Sequence, residues 1–245
     1  MTTIALAQIV WRQYEPKHVS CLIDLVQSGI VSSMLTQQGD ALVSRARSIL
    51  ATRFLTKHDE QVLVTVDSDV IFKPDDVRKI AEAAHEHHGI VGGLYMCRAM
   101  QDNAPTSILP DGVEISVGDP DAPLVPVRWL AAGFMAIDRG VFEALADGED
   151  VPLYHAGSSL EMYGFYDDIR QDAAITTWVG KERIYPSEDY ALCEQASIQG
   201  FPILLDPSIR LGHVGQWTYE VTQMPGATGW PVKLKRDGYR VEVLR

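Results

Sequence analysis

The chain has 245 residues, 46% of them hydrophobic and 22% charged, so it can bury the core of one large or two small domains. Its 33 acidic and 21 basic residues give a formal net charge of −12, the opposite of what a general nucleic-acid binder needs, so bulk nucleic acid is not an expected partner. Its longest apolar runs are far shorter than the roughly 20 residues that span a bilayer, so we expect no membrane span.

The N-terminal sequence and the cysteines indicate the cellular compartment in which we expect the protein. The first ten residues lack the basic segment of a secretory signal, and we interpret them as a strand. Cys21, Cys97 and Cys193 lie far apart and form no CxxC pair, which argues against a disulfide framework and a thiolate zinc site. We therefore expect a cytoplasmic protein.

The first 95 residues alternate between strand-like and helix-like patterns, which is typical of an α/β sheet with mainly parallel order. The apolar periodicity predicts strands at Ile4–Val10, Gln61–Val66 and Gly89–Tyr95, and helices at His18–Ser28, Asp40–Leu55 and Asp75–His88.

The second half is more mixed and contains no linker or repeat. Residues 1–221 are therefore interpreted as one domain, and residues 222–245 as a tail with a β-hairpin around Asp237-Gly238. The pattern predicts strands at Val127–Leu130, Phe134–Ile137 and Ile203–Leu205, and helices near 139–146 and 187–199.

An acidic DxD triplet, Asp67-Ser68-Asp69, directly follows the most apolar predicted strand. In an open α/β sheet this position lies at the carboxyl edge, where ligands bind. Two carboxylates separated by one residue can hold Mg²⁺ or Mn²⁺, which also binds phosphate oxygens of a substrate. Acidic residues at such a junction can equally cap the following turn.

Two segments downstream carry further candidates. Ser187 is the predicted N-cap of a helix whose first turn holds Glu188 and Asp189, and these acids can serve catalysis or complement the helix dipole. His213 lies between glycines in a short, broken segment, a setting that suits a metal ligand.

These segments belong to an ordered set of motifs between residues 4 and 220. The set comprises the strand ending near Gln8, Val43-Ser-Arg-Ala-Arg47, Val66-Asp-Ser-Asp-Val-Ile-Phe-Lys-Pro-Asp75, Val91-Gly-Gly-Leu-Tyr95, Ala132-Gly-Phe-Met-Ala-Ile137, Ser187-Glu-Asp-Tyr190 and Gly212-His-Val-Gly215. Together these motifs resemble the GT-A family of nucleotide-sugar-dependent glycosyltransferases, particularly short bacterial and phage-type members related to family 2.

The resemblance implies a GT-A fold: a Rossmann-like α/β domain with a mixed, mainly parallel sheet flanked by helices. It also implies metal-dependent transfer of a sugar from a nucleotide-diphospho-sugar donor, of the UDP or GDP type, to a hydroxyl acceptor such as a glycan. Residues 1–100 would then form the donor-binding half and residues 101–221 the acceptor side.

Residue by residue, the resemblance implies a Mn²⁺ or Mg²⁺ site at Asp69 and His213, with Asp67 as a further ligand or a ribose contact. A planar guanidinium from Arg45 or Arg47 would bind the nucleotide or diphosphate, and Gly133 would let the donor sugar approach the backbone. The donor-binding set implied in this way is Gln8, Arg45, Arg47, Asp67, Ser68, Gly93 and Gly133.

The resemblance further implies that Asp189, with Glu188 beside it, is the base that activates the acceptor in inverting members. In retaining members an acidic residue here contacts donor hydroxyls instead, and the sequence does not distinguish the two roles.

The chain departs from the family pattern in two places. Ser48 stands where the arginine helix usually carries asparagine. The segment after Tyr95, where Pro and Lys are common, reads Met96-Cys97-Arg98, so Arg98 is a candidate substitute cation. The aromatic-rich stretch Val151–Arg183 is interpreted as an acceptor-side lid or as a packed subdomain.

Two alternative functions remain open. A nucleotidyltransferase that makes sugar nucleotides would carry a glycine-rich loop after the first strand, and the segment from Gln8 to Tyr14 has no glycine. A non-catalytic nucleotide- or glycan-binding module would lose the acidic pair at 188–189, and both acids are present.

Overall fold

The computed structural model describes residues 1–98, 109–148, 150–156, 160–167, 178–179, 182–183, 187–215, 217–237 and 240–244. Its helices are α1 (Pro16–Ser28), α2 (Val43–Lys57), α3 (Pro74–Glu86), α4 (Arg139–Asp147) and α5 (Glu188–Ile198), with a 3-10 turn at Val221–Gln223. The strands before α4 are β1 (Ile4–Val10), β2 (Ser33–Gln38), β3 (Val62–Val66), β4 (Val70–Ile71), β5 (Ile90–Gly93), β6 (Glu114–Val117), β7 (Val125–Pro126) and β8 (Phe134–Asp138). The strands after α4 are β9 (Leu153–Ala156), β10 (Leu160–Tyr163), β11 (Trp178–Val179), β12 (Glu182–Arg183), β13 (Ile203–Asp206), β14 (Gly212–Val214), β15 (Thr218–Tyr219), β16 (Val232–Asp237) and β17 (Arg240–Val243).

Seven strands form the central sheet, in the order β2-β1-β3-β8-β5-β13-β7. Five of these seven run in one direction, because only β8 and β7 pair antiparallel with their neighbours. Helices cover both faces. The predicted fold class, a mixed, mainly parallel α/β sheet flanked by helices, is therefore confirmed.

Alternate residues of the central strands serve two separate cores. Leu63 of β3 belongs to one apolar cluster, which includes residues of α2, α4 and α5, whereas its neighbours Val62 and Val64 belong to the other, which includes residues of α1 and α3. This division follows from the period of two in a strand, and it explains why β3 is a continuous apolar run.

Two strand predictions differ from the structure. The strand predicted at Val127–Leu130 is wrong, since the ladder with β13 involves Val125 and Pro126 instead. The apolar side chains of Trp129 and Leu130, on which the strand prediction depended, pack inside the core. The edge strand β2 was not predicted, because its sequence is largely polar and only Leu35 is buried.

Small sheets attach the later part of the chain to this frame. β14 pairs with β4 and β15, which places residues 212–214 beside residues 70–71. β16 pairs antiparallel with both β17 and β6, and Val232 and Leu234 are buried in the main core. The tail therefore packs against residues 114–117, while the proposed domain division stays a prediction. No helix in the described ranges is long and apolar enough to cross a membrane.

The C-terminal end of α2 is held by a side chain from α4. Arg139 Nη2 donates to the carbonyls of Phe54 (3.3 Å) and His58 (2.5 Å), Nη1 to Leu55 (3.3 Å) and Nε to Glu60 (2.8 Å). Its guanidinium also lies 4.4 Å from the ring centroid of Phe54. The bonds to Leu55 and His58 satisfy carbonyls that a helix end leaves without intrahelical partners, whereas Phe54 already accepts from the His58 amide and Glu60 lies beyond the helix.

We expect Arg139→Met to lower the free energy of unfolding by about 2–4 kcal/mol, because four hydrogen bonds to carbonyls are lost. Arg139→Lys should restore only part of the loss, since one ammonium cannot reach all four oxygens. Urea denaturation measures the change. The control is Arg78→Met, which removes exposed ion pairs on α3 and should shift stability by about 0.5 kcal/mol or less. Equal losses at both positions would contradict this account.

Candidate active site

The acidic triplet lies where the chain leaves the buried strand β3. The Asp67 amide donates to the Gly133 carbonyl (3.0 Å), and the Val70 amide donates to the Asp67 carbonyl (3.1 Å). The second bond closes a tight turn at the carboxyl end of β3, and the first joins it to the residue before β8. Both carboxylates therefore lie at the edge where α/β proteins bind ligands.

A buried arginine joins this turn to two other elements. The Arg47 side chain is only 5% exposed, and its Nη2 lies 2.9 and 3.1 Å from the two oxygens of Asp67. Its Nε donates to Glu188 Oε1 (3.3 Å) and its Nη1 to the Ala132 carbonyl (3.3 Å). Arg47 thus links α2, the end of β3, the segment before β8 and the start of α5.

The charged groups in this cluster shift one another's pKa values. Burial lowers the pKa of Arg47, but the negative charges of Asp67 and Glu188 outweigh it and raise that pKa above its usual value. Burial and the charge of Asp189 raise the pKa of Glu188, and Arg47 opposes that rise. Asp67 and Glu188 are both partly buried, and the positive charge of Arg47 compensates their negative charges.

Backbone and hydroxyl donors hold Asp189 in place. Its Oδ2 accepts from the Ala132 amide (3.1 Å), and its Oδ1 accepts from the Tyr190 amide (2.9 Å) and from the Ser187 hydroxyl. Ser187 is the N-cap residue, as predicted, but its hydroxyl binds Asp189 and caps no backbone amide. Within the described residues Oδ2 has one donor, so it retains capacity to accept another.

Asp69 and His213 come together because β14 pairs with β4. The Val214 amide donates to the Asp69 carbonyl (2.8 Å), and His213 Nε2 lies 3.5 Å from Asp69 Oδ1. The other oxygen, Oδ2, lies 2.7 Å from Arg98 Nη1. The two oxygens of Asp69 therefore face two different groups.

The partner of the other ring nitrogen fixes the tautomer of His213. His213 Nδ1 lies 2.7 Å from the Met96 carbonyl, which can only accept, so Nδ1 carries a proton. In the neutral ring, Nε2 then presents a lone pair to Asp69 Oδ1. With a proton on Nε2 the pair forms a hydrogen bond, and a metal ion could bind both atoms in place of that proton.

Asp69 Oδ1 and His213 Nε2 are close enough to bind the same divalent ion. Two ligands of one ion at about 2.1 Å are at most about 4.2 Å apart, and the measured separation of 3.5 Å lies within that limit. Burial raises the pKa of Asp69, but the hydrogen bond and charge of His213 and the charge of Arg98 outweigh it and lower that pKa overall. Over the described ranges no group of three or more His, Cys, Asp or Glu side chains forms a metal site. An ion here would take its remaining ligands from water or phosphate, as Mg²⁺ commonly does.

Tyr95 connects the two parts of the site. Its hydroxyl oxygen accepts from the Gly133 amide (3.0 Å), and its ring meets that of His213 edge to face, with centroids 5.1 Å apart. A Cβ on Gly133 would overlap the Tyr95 hydroxyl and lie 3.1 Å from Asp67 Oδ2. Glycine at 133 thus makes room for Tyr95. The sequence placed Tyr95 in a motif but indicated no role for it.

Arg45 and Ser68, two of the predicted donor-binding residues, bind other residues of the chain. Arg45 binds Asp40 through Nη2–Oδ1 (2.7 Å) and Nε–Oδ2 (2.8 Å), and its side chain is half exposed. The Ser68 carbonyl accepts from the Glu15 amide (3.1 Å). The donor contacts of Arg45 and Ser68 stay predictions.

Gln8 and Gly93 lie beneath the edge of the sheet. Gln8 Nε2 lies 2.7 Å from His18 Nε2, and His18 Nδ1 lies 2.7 Å from the Val70 carbonyl. The buried Oε1 of Gln8 has no hydrogen-bond partner among the described residues. A Cβ on Gly93 would lie 2.7 Å from Leu211 Cδ1, so Gly93 permits close packing there. Their roles toward a donor also stay predictions.

Ser48 has an observed role in place of the expected asparagine. Its hydroxyl oxygen accepts from the buried Tyr166 amide (3.1 Å), and one turn later Thr52 accepts from the Tyr163 amide (3.0 Å). The described part of 151–183 includes buried Phe165 and Tyr166, so that part is packed against α2. Residues 157–159, 168–177 and 180–181 of this stretch lie outside the described residues.

Comparison with known proteins gives a structural likeness without a sequence match. No protein family and no curated protein matches the chain. The crystal structure of A197 from STIV is similar over 100% of this chain and 95% of its own, with a TM-score of 0.53 and 14% identity. The crystal structure of GalNAc-T7 with UDP, GalNAc and Mn²⁺ is similar over 87% of this chain and 44% of its own, with a TM-score of 0.47 and 13% identity. The likeness to A197 shows a shared fold, and at such identities the comparisons go no further than fold.

Arg47→Met should lower the free energy of unfolding at pH 8 by about 2–4 kcal/mol, because two partly buried carboxylates lose their compensating charge. Glu188 binds a proton more readily in the folded than in the unfolded chain, since its folded pKa is raised. Its contribution to stability therefore declines as pH rises from the ordinary carboxyl range through the folded pKa. Loss of Arg47 raises that pKa further, so the deficit should be smaller at pH 5 than at pH 8.

Urea denaturation at both pH values measures this deficit. Adding Glu188→Gln to Arg47→Met should recover part of it, and Glu188→Gln alone provides the reference. A deficit that is the same at both pH values and in the double variant would contradict charge compensation.

Proposed function

We propose that the chain is a metal-dependent glycosyltransferase that moves a sugar from a nucleotide-diphospho-sugar donor to a hydroxyl acceptor. The observation that carries this proposal is the pair of facing acceptor atoms, Asp69 Oδ1 and His213 Nε2, at the carboxyl edge of the sheet. A metal ion bound by this pair would lie beside the carboxylates that Arg47 groups together.

In this proposal Asp69 and His213 hold Mn²⁺ or Mg²⁺, and Asp67 is a further ligand or contacts the ribose. When bound, the ion neutralises the donor diphosphate and stabilises it as a leaving group. Such a cation would reduce the repulsion between an anionic donor and a chain whose net charge is −12. Nucleotides of the UDP or GDP type are the proposed donors, with Arg45 and Ser68 as their proposed contacts. Gln8, Arg47, Gly93 and Gly133 are packed against other protein groups, and they are proposed to shape the floor of the donor site.

Asp189 is the proposed base. The acceptor oxygen forms a bond to the anomeric carbon, its proton passes to Asp189, and the bond to the diphosphate oxygen breaks with its electron pair. Asp189 is oriented for this by the Ala132 and Tyr190 amides. Glu188 is the second candidate, since its raised pKa suits a group that exchanges protons. In a retaining reaction Asp189 would contact donor hydroxyls instead.

A thermal-shift panel of UDP, GDP, CDP and dTDP sugars, with and without Mn²⁺, tests the donor class. One nucleotide should raise the melting temperature only with metal, since a ligand at 100 times its Kd stabilises the folded state by about 2.7 kcal/mol. Asp69→Asn and His213→Gln should abolish the metal-dependent part. Asp59→Asn, an exposed aspartate outside the site, is the matched control. No stabilisation by any donor with any divalent metal would overturn the proposal.

Asp189→Asn should lower the rate of donor turnover by about 10²–10⁴-fold, the usual contribution of a general base. Release of nucleoside diphosphate with water as acceptor measures this rate, and the thermal shift with donor and Mn²⁺ should persist. Asp24→Asn, an exposed change on α1, is the control. Near-normal turnover would exclude the base role. Loss of donor binding would indicate the donor-contact role of a retaining enzyme, and donor binding without turnover in the wild type would indicate a binding module.

A further inference from the structure

Arg98 lies at the proposed metal site but differs from the other arginine there. Its Nη1 is 2.7 Å from Asp69 Oδ2, and its side chain is 51% exposed. Arg47, by contrast, is 5% exposed and its donors are committed to Asp67, Glu188 and Ala132. Arg98 therefore has guanidinium surface available to an arriving ligand, whereas Arg47 has little.

The path of the Arg98 side chain depends on Gly215. A Cβ on Gly215 would lie 3.2 Å from Arg98 Cδ, 3.5 Å from Arg98 Cγ and 3.1 Å from Tyr219 Cε2. The Gly215 amide donates to the Trp217 carbonyl (2.7 Å), which fixes the backbone beneath the side chain. The missing Cβ thus lets the aliphatic part of Arg98 lie against residue 215 while its guanidinium reaches Asp69.

With a metal ion bound, both the ion and Arg98 would contact the carboxylate of Asp69. A divalent ion between Asp69 and His213 would stand close to the Arg98 guanidinium, and the two positive charges repel. A diphosphate changes this balance, because its oxygens match the planar donor fork of an arginine and also bind the ion.

We propose that Arg98 restrains Asp69 in the donor-free protein and moves to the diphosphate when the donor arrives. The metal ion and the diphosphate then bind with positive coupling, because each relieves the repulsion that the other meets. This inference rests on the proposed function, and it assigns to the same site an order of binding in which the metal is held strongly only together with the donor.

Binding measurements on the complete chain test this coupling without any turnover. Mn²⁺ alone is titrated by electron paramagnetic resonance, and UDP and GDP are titrated by calorimetry at saturating Mn²⁺. Arg98→Ala should bind Mn²⁺ alone at least about fivefold more tightly and bind the diphosphate at least about fivefold more weakly. Gly215→Ala, which displaces the side chain of Arg98, should shift both constants in the same directions by less.

Arg78→Ala, which breaks arginine–carboxylate pairs on α3, is the control and should change neither constant. Opposite shifts of the two constants cannot come from general damage to the site, which would weaken both. Both constants weakened or both unchanged in Arg98→Ala would overturn the role of Arg98 and leave the proposed function standing. Wild-type protein that binds neither Mn²⁺ nor a diphosphate would overturn both.

Discussion

Arg47 places a positive charge where only 5% of its side chain reaches solvent, and such a charge is costly unless acceptors surround it. The acceptors come from three separate elements: Asp67 after β3, Ala132 before β8 and Glu188 at the start of α5. Each must reach the same guanidinium, so the charge fixes their relative positions. The carboxylates at the carboxyl edge are thereby grouped before any ligand is present.

The second aspartate of the triplet is neutralised in a different way. Asp69 faces His213 on one oxygen and the half-exposed Arg98 on the other, while Tyr95 spans the distance from His213 to Gly133. Arg47 is therefore buried among its acceptors, and Arg98 is half exposed. This difference in burial is why we propose a structural role for Arg47 and a ligand-responsive role for Arg98.

The sequence predicted the sheet well where burial dictates residue type, as in the continuous apolar strand β3. It predicted β2 poorly because an edge strand needs few apolar residues. It could not choose between Arg45 and Arg47, since neither periodicity nor charge shows which guanidinium turns inward, and the structure turns Arg45 to Asp40. The contact of Arg98 with Asp69 and the carbonyl that orients His213 depend on side-chain paths, which no spacing along the chain encodes.

The net charge of −12 includes four carboxylates that lie at this site. An anionic ligand must approach Asp67, Asp69, Glu188 and Asp189, and repulsion from these carboxylates is reduced only by positive charge close to them. Arg47 offsets two of them, but its donors are already committed to their oxygens and to Ala132. In the proposed function, attraction for a diphosphate therefore comes from Arg98 and from a cation held by Asp69 and His213. Under that proposal an acidic protein binds an anionic ligand because two positive charges lie at one carboxylate, where they act on the ligand more strongly than the net charge of the whole chain does.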